Sequence, residues 1–215
     1  MMKIMVIGLG SMGRRRIRLL QAYDRSAEII GVDLQEIRRK QAENEFHIET
    51  VDSIETAYEK SAAEIAFIST SPLSHASIIT DCLNRDMHVF TELNLTDEKY
   101  DENMMLADSK GLIIFLSSTF LYRKEIQYIK QEVKNCGCKL SYMYHAGQYL
   151  PDWHPWESYK NFFVGDKRTN GCREFMAIEF PWIFDVFGNV EKIYSVSAKN
   201  STLDINFPDT YQLVL

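Results

Sequence analysis

Near the N-terminus, Gly8-Leu9-Gly10-Ser11-Met12-Gly13 has the spacing G-x-G-x-x-G, and an acid, Asp33, follows twenty residues after the last glycine. Residues of these types at this spacing hold the pyrophosphate of a dinucleotide. The first glycine permits a tight turn, the second lets the backbone approach the phosphates, and the third lets helix and strand pack closely. The N–H groups of a helix starting at Ser11 and Met12 would face the anionic oxygens. The Asp33 carboxylate would accept hydrogen bonds from the adenosine ribose and repel a 2′-phosphate. Leu34 and Gln35, which follow, offer no cation. NAD(H) is therefore expected in preference to NADP(H).

Such a site needs a strand before the glycines, a helix after them and a second strand ending at the acid. Residues 3–7 and 28–32 are apolar runs suited to the strands, and residues 11–22 suit the helix. The alternation continues. Helices are predicted over 34–46, from 52 onward, 74–85, 96–110 and 122–135, with strands over 63–68, 87–91 and 112–116. Asp52 and Ser53, with Glu55 shortly after, resemble a capping pattern. Strands alternating with helices form a doubly wound parallel sheet.

After residue 138 the pattern changes. One long strand is expected over 139–148, a structured loop over 149–168, a helix over 170–187 interrupted by Pro181, and strands over 190–198 and from 210. The fold class read from this is α/β, an N-terminal Rossmann domain over residues 1–119 followed by an α+β domain of long strands over 120–215. The sequence stops at Leu215 inside a strand pattern. That fits either a truncated chain or an edge strand covered by a partner.

The 215 residues are 46% hydrophobic and 25% charged, with a formal net charge of −6. An acidic chain argues against a nucleic-acid partner, which needs a basic face. No apolar run approaches membrane-spanning length, and no signal peptide precedes the first strand. Cys136 and Cys138 lack a second ligand pair at zinc spacing, so no metal is expected and the thiols are read as reduced, in a cytoplasmic protein. Arg14-Arg15-Arg16 is read either as a solvated helix face or as a contact to cofactor phosphate.

Three motifs in order carry a family resemblance: the glycine loop, Ser69-Thr70-Ser71-Pro72-Leu73-Ser74-His75, and Thr91-Glu92-Leu93-Asn94-Leu95. Together they resemble the glucose–fructose oxidoreductase / inositol dehydrogenase / MocA family. The resemblance implies that Thr70, Pro72 and His75 pack beside the cofactor and that Glu92 and Asn94 line its nicotinamide end. It also implies a sugar or polyol-like substrate and a homodimer or higher assembly built on the second domain's open sheet. Two departures stand out. The family's Glu-Lys-Pro reads Glu92-Leu93-Asn94, and leucine can neither donate a hydrogen bond nor carry charge. In the later helix the family's acid/base histidine falls near Ile178 and its aspartate near Pro181.

Replacement proton carriers are Glu179 and His154. Glu179 has Phe175, Met176, Trp182 and Ile183 at helical spacing, an apolar face that would desolvate its carboxylate. Its other reading is a surface or arginine-paired glutamate. His154 lies in Asp152-Trp153-His154-Pro155-Trp156, where the tryptophans could stack on a sugar face or instead plug an interface. His145 reads as a satisfied sheet histidine. Two functions follow: a hydride-transferring oxidoreductase, or a nucleotide-binding or sensing protein that has lost turnover. An incomplete fragment is a third reading.

Overall fold

The computed structural model describes residues 1–138 and 140–215, which form two compact units, Met1–Ser117 and Ser118–Leu215. The division falls before Ser118 rather than after residue 119. The 3-10 turn Thr119–Tyr122 belongs to the second unit because Phe120 and Leu121 pack with the core of that unit.

The first unit alternates β1 (Lys3–Ile7), α1 (Ser11–Tyr23), β2 (Glu28–Val32), α2 (Glu36–Phe46), β3 (Glu49–Val51), α3 (Ile54–Ser61), β4 (Ile65–Ile68), α4 (Pro72–Asn84), β5 (His88–Thr91), α5 (Tyr100–Lys110) and β6 (Ile114–Leu116). All six strands run parallel in the order β3-β2-β1-β4-β5-β6. Parallel strands are covered on both faces, which is why β1 is an unbroken apolar run. Side chains alternate across a strand. Ile4 and Val6 pack with Ile17, Ala42 and Phe46 of α1 and α2, while Met5 and Ile7 pack with Ala57, Ile79 and Leu83 of α3 and α4.

Local signals set several helix ends. The Ser53 hydroxyl accepts the Thr56 N–H and caps α3, and Gly111, at φ +64°, ends α5. The start of α5 is four residues later than expected, because Lys99 adopts a left-handed conformation just before it. Strand β3, absent from the sequence reading, is three residues long and shows no periodicity to read.

In the second unit, α6 (Lys124–Cys136) and α8 (Gly171–Phe187) pack through Ile126, Trp182 and Val186. Between them lie α7 (Leu150–Trp153) and two 3-10 turns. Helix α8 runs through Pro181, and its cap Asn170 accepts the Arg173 N–H (3.1 Å). Strands β7 (Tyr194–Ala198) and β8 (Thr210–Val214) form an antiparallel pair.

Three expectations are corrected here. Residues 140–148 form no strand, because β7 and β8 pair only with each other among the described residues; Lys139 lies outside those residues. The strands of this unit are five residues long, not extended ones. Cys136 and Cys138 are joined as a disulfide rather than held as thiols, because the positive φ of Gly137 brings their Cα atoms to 5.4 Å, a normal spacing for the bond. Among the described residues no helix is long and apolar enough to cross a membrane.

Candidate nucleotide site and proton carriers

The glycines divide their work. Gly8 closes β1 at φ +89°, and a Cβ there would lie 2.6 Å from the Ser69 carbonyl oxygen. A Cβ on Gly13 would lie 1.8 Å from the Gly8 carbonyl oxygen, so loop and helix are in backbone contact there. Gly10, the N-cap of α1, faces open space. Ser11, Met12 and Gly13 begin the helix, where N–H groups have no intrahelical acceptor, and its first turn carries no acid. The residues present therefore fit a pyrophosphate: a tight loop, an open approach at Gly10 and donors without a competing carboxylate.

Asp33 stands at the carboxyl end of β2 and is 8% exposed. The Leu9 N–H donates to its Oδ2 and the Gln35 N–H to its Oδ1, both at 2.8 Å. Arg38 Nη1 stands 3.7 Å from Oδ2. Arg39 Nη1 donates to the carbonyls of Asp33 (2.8 Å) and Leu34 (3.1 Å). The cation beside the acid lies beyond Leu34 and Gln35 in the chain. One helical turn returns Arg38 to the acid.

Thr70, Pro72, His75 and Asn94 form a second cluster. Pro72 opens α4, and His75 is buried. The His75 ring pairs through Nε2 with the Thr70 carbonyl (3.0 Å) and through Nδ1 with the Asn94 side-chain amide (2.9 Å). His75 thus ties the loop after β4 to the loop after β5.

Glu92 is held by Arg16. The guanidinium donates from Nε to Oε1 (2.7 Å) and from Nη2 to the Ser117 hydroxyl (2.6 Å), and it lies 4.8 Å from the centroid of the Phe90 ring. Arg16 is neither a solvated face nor free for phosphate; it links α1 to the ends of β5 and β6. Glu92 is correspondingly an ion-pair partner, not an uncommitted lining group.

In the second unit, Glu179 is buried but not unpartnered. It accepts from the Tyr144 hydroxyl (2.8 Å) and from Trp182 Nε1 (2.5 Å). Burial, with this bond to Glu179 adding to it, pushes the Tyr144 hydroxyl up to about 12. His154 stacks between Trp156 and Phe162, and its Nδ1 pairs with Glu157 (3.0 Å). Trp153 packs on Phe175, while Trp156 is exposed. His145 is exposed and in no strand, contrary to its reading as a sheet histidine.

Sequence reasoning missed Glu174, in the first turn of α8. Among the described residues its Oε2 is buried without a hydrogen-bond partner, and burial pushes the carboxyl up to about 7. The available signal was its helical neighbours Gly171, Ala177 and Ile178, which are apolar and carry no cation. Among the described residues no group of three His, Cys, Asp or Glu could hold a metal.

The family model described as an oxidoreductase family with an NAD-binding Rossmann fold matches residues 2–118. No curated protein sequence matches the chain. Solved structures share the fold. The WlbA dehydrogenase of Chromobacterium violaceum, in complex with NADH and UDP-GlcNAcA, is 17% identical with a TM-score of 0.80, over 99% of this chain and 62% of its own. An Agrobacterium radiobacter oxidoreductase, in complex with NAD+, L-tartaric acid and magnesium, is 12% identical with a TM-score of 0.81 over the same shares, 99% and 62%. A myo-inositol 2-dehydrogenase of Lactobacillus plantarum is 22% identical with a TM-score of 0.57, over 62% of this chain and 41% of its own. The chain thus spans 62% of the length of the first two structures.

Proposed function

The chain belongs to the glucose–fructose oxidoreductase / inositol dehydrogenase / MocA family of NAD-binding oxidoreductases, and from that premise we propose that it moves a hydride between NAD(H) and a sugar or polyol-like small molecule. The observation that carries this reading is the loop at Gly10, open to a pyrophosphate and flanked by the Asp33 carboxylate. The substrate class is supported by the solved structures, which include a dehydrogenase in complex with UDP-GlcNAcA and a myo-inositol 2-dehydrogenase.

The nicotinamide supplies the hydride chemistry, and the chain must handle the hydroxyl proton of the substrate, since hydride transfer at an alcohol carbon otherwise leaves a charged oxygen. Leu93 and Ile178 cannot do so. Three groups are candidates. Glu179 is engaged on both oxygens and His154 is paired with Glu157. Glu174 has an uncommitted oxygen and titrates at about 7, where a general acid or base works best near neutrality. We infer that one of Glu174, Glu179 and His154 carries the proton.

The absence of lysine at 93 and histidine at 178 favours a second reading, a nucleotide-binding protein without turnover. NADH fluorescence on mixing, followed by a panel of inositols, sugars and nucleotide sugars read at the NADH absorbance, separates the two. The expected outcome is NADH binding and turnover of one panel member. Glu174→Gln should then lower kcat by about 10²- to 10⁴-fold while NADH binding persists. Loss of turnover in Glu179→Gln or His154→Asn, but not in Glu174→Gln, would assign the proton to that residue. NADH binding with no turnover across the panel would put the binding-protein reading first.

A further inference from the structure

A covalent bond joins Cys136 to Cys138, and neither the nucleotide site nor the candidate proton carriers use it. Its position is not that of a staple. One residue, Gly137, separates the two cysteines. A disulfide stabilises a fold by closing a long loop, and the shorter the loop the smaller that contribution. Helix α6 is already docked on α8 through Ile126, Trp182 and Val186, with Phe120, Leu121 and Val133 packed against them. The bond joins nothing that this packing leaves apart.

What the position offers is access. Cys136 is the last residue of α6 and Gly137 its cap, and both cysteines are exposed. An open hollow lined by Tyr128, Ile129, Glu132, Val133 and Leu140 adjoins Cys136. A thiolate must reach a disulfide sulfur to attack it, and exposed disulfides are the labile ones. The other two cysteines are placed oppositely. Cys82 is buried, and burial pushes its thiol up to about 12. Cys172 is half-buried, and its thiol is held above the ordinary value by burial first and the Asp209 carboxylate second. The thiolate is the reactive form, so both are poor nucleophiles. Gly137, at φ +60°, has a conformation that ends helices without any cross-link. The reduced form therefore keeps its two thiols close to each other.

We propose that Cys136-Gly137-Cys138 is a reversible redox site that exchanges with small-molecule thiols of the glutathione class. In the reductive direction a glutathione thiolate attacks one sulfur of the pair. A mixed disulfide forms, and the other cysteine leaves as a thiolate and takes up the proton that glutathione gave up. A second glutathione thiolate attacks the glutathione sulfur of the mixed disulfide, which frees the remaining cysteine to be protonated in turn and leaves oxidised glutathione. Two glutathione thiols are oxidised and one protein disulfide is reduced. Oxidised glutathione drives the reverse and closes the bond. The proposal is independent of the oxidoreductase reading.

The test brings the whole chain to equilibrium in buffers of rising reduced-to-oxidised glutathione ratio. Samples are quenched in acid, alkylated and digested, and the cysteine peptides are read by mass spectrometry. The ratio of disulfide to dithiol at Cys136 and Cys138 should fall about tenfold or more across the series and recover when the buffer is reversed, with an unchanged circular dichroism spectrum. Cys82 and Cys172 should stay as thiols throughout. Cys136→Ser and Cys138→Ser each remove the resolving partner, so the remaining cysteine should accumulate a glutathione adduct that the wild type does not. A pair that stays oxidised at every ratio, or one that stays reduced at every ratio, overturns the proposal. So does adduct formation at Cys172 ahead of the exposed pair. The wild-type titration decides alone if a serine variant fails to fold.

Discussion

Glu174 shows how one buried carboxyl couples stability to pH. Its folded-state value, about 7, lies above the usual glutamate value of about 4.3. The folded protein therefore holds the proton more tightly than the unfolded chain. The stabilisation linked to it is fully present below the unfolded value and is lost as pH rises through the folded one, between about pH 4 and 7. Glu174→Gln carries no such proton. The difference in unfolding free energy between wild type and variant should therefore shift in favour of the variant by about 1–3 kcal/mol from pH 4 to pH 8 in denaturant titrations. A pH-independent difference would mean that Glu174 reaches water. At this scale the sequence was legible where chemistry is local. The glycines and Asp33 sit where their spacing put them. Arg38 escaped notice because only the pitch of α2 returns it to Asp33. The burial of Glu179 was legible, but its partners were not, since Tyr144 comes from a segment thirty-five residues away.

At the scale of elements, β1, its loop and α1 are one piece held by backbone contact. Gly10 and Gly13 should consequently fail in different ways. At Gly10 a methyl group meets nothing of the protein, so Gly10→Ala should fold within about 0.5 kcal/mol of wild type and yet lose NADH affinity, because the methyl stands where the phosphates approach. At Gly13 the methyl would meet the Gly8 carbonyl, so Gly13→Ala should cost about 1–3 kcal/mol in thermal or denaturant unfolding as well as binding. Equal effects on folding from the two substitutions would refute this division. Most of the alternating elements of the first unit were legible because β1, β2, β4 and β5 are largely apolar and largely buried runs, each followed by a helix. The strand read over residues 139–148 was not real in the described part, because a strand exists only with a ladder partner and a single sequence does not name one. The short β3 was invisible for the complementary reason: its partner β2, not its own three residues, makes it a strand.

At the scale of the whole molecule, the second unit leaves apolar side chains in water. Ile193, Tyr194, Val196 and Val214 on or beside the β7–β8 pair are each more than 60% exposed. A contiguous apolar sheet surface of this kind is covered by another protein surface more often than left open. We expect the chain to self-associate to a dimer or higher, as measured by light scattering at micromolar concentration; a monomer there would count against it. The Leu9 N–H that donates to the Asp33 carboxylate has a consequence of another kind. The side chain expected to read the coenzyme ribose also clasps the glycine loop, so that recognition and scaffold would share one residue. An engineer who replaces Asp33 to retune coenzyme choice loosens the loop in the same stroke. Leu34 and Arg38 stand on the exposed rim beside the acid, where substitutions leave that clasp untouched.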